Sequence, residues 1–168
     1  GSTTMTITLT ANNASAITGT AFTDSFPPGL LVAATPSLTN TCGGTVTGAT
    51  AGSGTLSLTG GTIPASGSCL VRVNVTSADT AQYINSTGTV TTTNAGTFGP
   101  ASATLNVLAP PLITKDFNPD AIGTGDGTNA NKSVLTISLS NPTTATVALT
   151  GVGLVDNFST NLRVHGDL

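Results

Sequence analysis

The chain contains a long-period copy of itself, and that copy limits its fold more than any single residue does. Thr4-Met5-Thr6-Ile7-Thr8-Leu9-Thr10 returns as Val134-Leu135-Thr136-Ile137-Ser138-Leu139-Ser140. After a two-residue insertion, Thr18-Gly19-Thr20-Ala21-Phe22-Thr23-Asp24-Ser25-Phe26 returns as Thr150-Gly151-Val152-Gly153-Leu154-Val155-Asp156-Asn157-Phe158, and Leu30 and Val32 match Leu162 and Val164. Self-similarity at a fixed offset marks an array built by copying one unit along the chain. An offset of about 130 residues is too long for a solenoid turn and normal for a whole β-sandwich domain. The expectation is one nearly whole repeat and the opening of a second, a piece of a long extracellular array rather than an enzyme.

The residue types agree with that class. Roughly one residue in five is threonine, far above ordinary usage. Charged residues are 7%, aromatics 4%, and all seven acids are Asp, so the good helix former Glu is absent. β-Branched and turn-forming residues dominate, which suits strands and tight loops. At 38% hydrophobic the chain can still build a core, where a disordered chain of low charge could not. A net charge of −3 excludes the basic stripe that nucleic acid requires. No apolar stretch is long enough to span a bilayer, and no signal peptide remains.

Alternation places the strands. Met5, Ile7 and Leu9 alternate with threonines; Cys69, Val71, Val73 and Val75 alternate with Leu70, Arg72, Asn74 and Thr76. Ala101, Ala103, Leu105 and Val107 alternate with Ser102, Thr104, Asn106 and Leu108. This is the period of half-buried antiparallel strands. Shorter candidates are Thr18–Thr23, Leu30–Val32, Thr45–Thr47, Thr55–Thr59, Tyr83–Asn85 and Gly88–Thr92. Asn12-Asn13, Pro27-Pro28-Gly29, Gly43-Gly44, Gly60-Gly61, Pro64 to Gly67 and Asn94 to Gly96 read as turns. Many short strands at close spacing predict an all-β, Ig-like antiparallel sandwich, with no helix.

Three segments follow. Residues 1–109 form one Ig-like repeat. Residues 110–112 form a proline-rich linker, because proline cannot donate to a ladder. Residues 113–168 form the N-terminal part of a second, truncated repeat. Its opening strand, Leu112–Phe117, precedes Val134–Ser140, whereas the first repeat begins directly at the equivalent of Val134. The first repeat therefore lacks its first strand.

Cys42 and Cys69 lie inside the first repeat without a Cys-x-x-Cys arrangement, and the single His165 is remote, so zinc and thiol catalysis lack ligands. A disulfide is the natural reading, holding one sheet together or linking adjacent strands; two buried free thiols are the alternative. A bridge closing that loop stabilises by roughly 3–4 kcal/mol in the chain-entropy model. It also implies an oxidising, extracytoplasmic compartment.

At these residues the chain resembles the domain-of-unknown-function-eleven repeat family, the Ig-like repeats of bacterial and archaeal surface proteins. The resemblance rests on the Thr-Ile-Thr-Leu strand and on Thr18-Gly19-x-x-Phe22-x-Asp24-x-Phe26-Pro27-x-Gly29-Leu30. Asn40-Thr41-Cys42-Gly43-Gly44 with Cys69, and Ala109-Pro110-Pro111-Leu112-Ile113-Thr114-Lys115-x-Phe117-x-Pro119, extend it. It implies tandem arrays on cell-surface proteins that act as stalks, adhesins or filament components. The second repeat departs from it at Ser159-Thr160-Asn161, where Pro-Pro-Gly is expected.

Few residues suggest chemistry. Asp24 and Asp156 occupy equivalent places before a turn and read as turn caps. A catalytic triad would have to use His165, inside the incomplete repeat. Asp116, Asp120 and Asp126, with Asn118, Asn129 and Asn131, are weak calcium candidates that lack an EF-hand spacing. Lys115 shares strand parity with Ile113 and Phe117 and so faces inward, where an unpaired lysine is uncommon. A salt bridge or a path to the surface is expected for it, ahead of a covalent bond to an asparagine. The nearest last-strand asparagine, Asn106, has outward parity. Asn-x-Ser/Thr sequons at Asn13, Asn74, Asn85, Asn131 and Asn157 are what such a composition produces by chance.

No enzyme activity and no cofactor is expected. The functional expectation is a non-catalytic structural repeat of the cell surface, whose partners are neighbouring repeats or identical subunits. A binding module for glycan or calcium on the sandwich loops is the alternative. The missing first strand further predicts assembly by strand exchange, with Leu112, Ile113, Lys115 and Phe117 as the donated residues. A fragment cut out of phase from a longer array would explain the same phase.

Overall fold

The structure, a computed structural model, describes residues 1–123, 132–142 and 147–164. It is all-β, with no helix among the described residues. The chain divides into two compact units, Gly1–Val107 and Leu108–Leu168.

The first unit is a two-sheet antiparallel sandwich. In one sheet, β1 (Ser2–Thr10) pairs with β7 (Ser68–Thr76) along its whole length, from Ser2↔Thr76 to Thr10↔Ser68. The other edge of β7 takes β3 (Leu31–Val32) and then β4 (Thr39–Asn40). In the second sheet, β2 (Ile17–Ser25) pairs with β6 (Thr55–Ile63), which pairs in turn with β5 (Thr45–Thr47). The far side of β2 meets a hairpin. Its first arm is β8 (Gln82–Ser86) continued by β9 (Val90–Thr91), and its second is β10 (Thr97–Phe98) continued by β11 (Ser102–Asn106). Pairing runs in one register from Phe98↔Val90 to Asn106↔Gln82, with the Thr87 amide donating to the Ala101 carbonyl between them. Ala21↔Thr91 and Asp24↔Thr87 join this hairpin to β2.

The alternation read from sequence builds the core. Val71, Val73 and Val75 of β7 are buried, and Met5, Ile7 and Leu9 of β1 pack against the same cluster while staying half-buried. Opposite them lie Ile17, Phe22, Leu56, Leu58, Ile63, Tyr83 and Val90. Each such side chain removed from water contributes about 1.5–3 kcal/mol. Cys42 and Cys69 are bonded, with Cα atoms 4.9 Å apart. Cys69 is in β7, and Cys42 follows β4, the neighbour of β7, so the bridge links adjacent strands of one sheet. Its loop also reaches the other sheet, because the Cys42 carbonyl accepts from the Thr62 amide.

Some strand readings need correction. Gly60-Gly61 is not a turn but lies within β6, where the register against β2 shifts near Thr20. Gly60 adopts φ +68°, the backbone of a bulge that bends a strand without ending it. The two-residue strands β4 and β10 carry too few residues to show a period. On β11, Ala103 is exposed and Leu105 only half-buried, because this arm is the outer edge of its sheet. Gly44 and Gly48 are required as glycines: both have positive φ, and a Cβ would run into the Thr59 and Thr55 carbonyls respectively.

In the second unit, β12 (Leu112–Asn118) pairs antiparallel with β13 (Val134–Ser140), from Leu112↔Ser140 to Asn118↔Val134. β12 starts at Leu112, inside the segment expected as linker, and the units part between Val107 and Leu108.

Candidate functional site

Phe22 and Asp24 of β2 and Phe26 just after it share parity, and all three are buried. Asp24 is 0% exposed. It is therefore not the turn cap expected from sequence; it points into the sandwich. Asn85 of β8 comes beside it, on the face that carries buried Tyr83 and Thr87. The Asn85 Nδ2 donates to Asp24 Oδ2 at 2.8 Å. The second carboxyl oxygen, Oδ1, is buried without a hydrogen bond, and so is Asn85 Oδ1. Thr20 Oγ1 on the same face of β2 is a third such atom.

Burial raises the Asp24 carboxyl above its ordinary 3.8, and the Asn85 hydrogen bond offsets part of that rise. A buried carboxyl with an unmatched oxygen costs stability, so the cluster needs a reason. Met5 of β1 closes one side: its sulfur lies 3.6 Å from Asn85 Nδ2. The site therefore sits directly behind β1, and among the described residues β1 pairs only with β7.

The second unit shows the copied aspartate in a different setting. Lys115 Nζ on β12 donates to both oxygens of Asp156 at 2.8 Å. The ammonium lies 5.9 Å from the Phe117 ring centre and 5.8 Å from that of Phe158, within cation–π range. Lys115 is thus salt-bridged while keeping partial exposure. Asn106 is not its partner; the Asn106 Oδ1 accepts from Gln82 Nε2 at 3.0 Å.

Among the calcium candidates, Asp116 and Asp120 are exposed on and after β12. Asp126, Asn129 and Asn131 lie outside the described residues, as does His165. No three His, Cys, Asp or Glu side chains converge on a metal position among the described residues. No described helix is long and apolar enough to cross a membrane.

Sequence reasoning missed the Asp24–Asn85 pair, although a signal existed. Asp24 stands between Phe22 and Phe26 at inward spacing, and Asn85 stands two residues from Tyr83. A family model described as a domain of unknown function, DUF7933, matches residues 1–107. That designation differs from the repeat family resembled in sequence. No curated protein and no solved structure matches the chain.

Proposed function

This chain belongs to the DUF7933 family through residues 1–107, and from that premise we propose that it is a non-catalytic structural repeat of an extracellular surface protein. The observation that carries the reading is the copied unit. β1 and β13 share their sequence pattern and both form antiparallel strands, which supports a chain of like modules, while 150–158, the echo of β2, forms no strand. Modules of this kind form stalks, adhesins and filaments, as the resemblance to the Ig-like surface repeats also implies. The Cys42–Cys69 bridge supports an oxidising compartment. The natural partners are neighbouring repeats or identical subunits.

Limited proteolysis of intact source cells tests this reading. Peptides from residues 1–107 are expected in the shaved fraction, with Cys42 and Cys69 still linked. Recovery only after lysis, with both thiols free, overturns it. Saturable binding in calcium calorimetry or on a glycan array would instead favour a binding module.

A further inference from the structure

We propose that Asn13 carries an N-linked glycan, added to its side-chain amide by a transferase that reads the tripeptide Asn13-Ala14-Ser15. The site rests on the extracytoplasmic setting argued above. It adds a modification for which the sequence alone offers five equal candidates.

The fold sorts these sequons. An acceptor must expose both its amide and the hydroxyl two residues on, because the enzyme closes around the two together. Asn74 lies inside β7, where its Oδ1 accepts from Thr4 Oγ1 at 2.9 Å and its Nδ2 donates to the Thr35 carbonyl at 3.1 Å. Asn85 is closed off more completely. Its Nδ2 is committed to Asp24, and Thr87, which supplies the hydroxyl of its tripeptide, is buried and accepts from the Ala101 amide. In the second unit Asn157 is exposed, but Asp156 and Phe158 on either side of it hold the Lys115 ammonium. Bending that tripeptide into an enzyme would break the contact. Asn131 lies outside the described residues.

Asn13 meets both demands. Asn13, Ala14 and Ser15 are exposed and lie between the end of β1 at Thr10 and the start of β2 at Ile17. The backbone there is held: the Asn13 carbonyl accepts from the Ser66 amide at 2.8 Å and from Ser66 Oγ at 3.4 Å. Its flanks are tied as well, the Ala11 amide to the Gly67 carbonyl and the Ala16 carbonyl to Asn94 Nδ2. Among the described residues, none forms a hydrogen bond with the Asn13 or Ser15 side chain. A fixed turn thus presents an uncommitted amide and hydroxyl to solvent. The three turns joined here, 11–16, 64–67 and 92–96, contain no charged residue, so a sugar would hydrate an end of the sandwich that has no charge to do so. The transfer is a substitution at sugar C1. Asn13 Nδ2 bonds to C1 of an oligosaccharide carried on a lipid phosphate or pyrophosphate. The C1–O bond breaks, the lipid phosphate leaves with the electron pair, and the amide proton passes to a base of the transferase.

Trypsin separates the candidates, since the four Lys and Arg residues are Arg72, Lys115, Lys132 and Arg163. In protein purified from its source cells, the peptide ending at Arg72 is expected to carry a sugar mass that fragment spectra place on Asn13. The 73–115 peptide, which contains Asn74 and Asn85, is expected bare. Asn13→Gln and Ser15→Ala should each return the first peptide to its unmodified mass, and Ser15→Thr should keep the sugar. That peptide also contains Cys42 and Cys69, whose linkage shows that each variant has folded. A bare Asn13, or a sugar that survives Ser15→Ala, overturns the proposal. Sugar on Asn74, Asn85 or Asn157 with none on Asn13 overturns it too, because the fold would then not choose the acceptor. Where a bare Asn13 accompanies an intact bridge, the surface reading stands without the glycan; where both thiols are free, that reading falls as well.

Discussion

Asp24 and Asp156 hold matching places in the sequence echo, yet their surroundings share almost nothing. Asp24 is fully buried, accepts one amide hydrogen bond and leaves an oxygen unmatched. Asp156 is ion-paired and partly open to solvent. The difference lies in the partner each acid meets. Asp156 takes the Lys115 ammonium, whereas Asp24 takes the Asn85 amide. A residue's chemistry here follows from the side chains brought to it rather than from its own place in the sequence echo.

The two units differ in packing as well. The first encloses its apolar side chains, with Leu56, Leu58 and Val73 all 0% exposed. In the second, Leu112, Ile113, Val134, Leu139 and Val155 are exposed. Substitutions should separate the two sharply. Leu58→Ala is expected to cost about 2–5 kcal/mol in denaturant unfolding of the first unit. Leu139→Ala, on β13, should stay within about 0.5 kcal/mol. Equal costs would break the contrast.

Removing the disulfide with a Cys42→Ser, Cys69→Ser double variant should lower the stability of the first unit by roughly 3–4 kcal/mol. Amide resonances of β12 and β13 should stay in place, since the bridge lies within Gly1–Val107. A smaller effect is expected from pH. Asp24 binds its proton more tightly in the folded state than its ordinary 3.8 would allow. Between that value and the raised folded one, the native state holds more protons than the unfolded state. Stability from this group is therefore full at low pH and lost as pH rises through the folded pKa. Thermal melts across acidic pH should show that slope in the wild type and lose it in Asp24→Asn.

The smallest expected change belongs to the ion pair of the second unit. Lys115→Ala or Asp156→Ala should cost about 0.2–1 kcal/mol and lose its effect in high salt, because the lysine side chain is 42% exposed. Chemical-shift perturbation along β12, followed with added salt, measures it. A large salt-independent loss would mean that Asp156 resembles Asp24 more closely than its exposure suggests.

Much of the scaffold was legible because β-strands have a short, strict period. The sequence announces strands at Thr4–Thr10, Cys69–Thr76, Leu112–Phe117 and Val134–Ser140; the structure extends the first three by one or two residues and keeps the fourth as read. The cysteine pairing followed from the lack of any other role for two cysteines. Gly60-Gly61 misled, because glycine serves bulges and turns alike through the same positive φ. Asp24 misled for a similar reason: an aspartate before Pro-Pro-Gly has a ready local explanation, and its parity with Phe22 and Phe26 was the quieter signal.

The sequence by itself determined the all-β class, the long-period echo and the inward rows of Ser2–Thr10 and Ser68–Thr76. Those properties are local or periodic, and a linear chain records them directly. Only the tertiary structure decided that Asn85 meets Asp24 across 61 positions of chain, that one oxygen of each goes unmatched, and that Met5 of β1 lies against them. Such facts arise when strands distant in sequence stack in two sheets, where the partner of a buried group is set by register and sheet order and by no pattern along the chain.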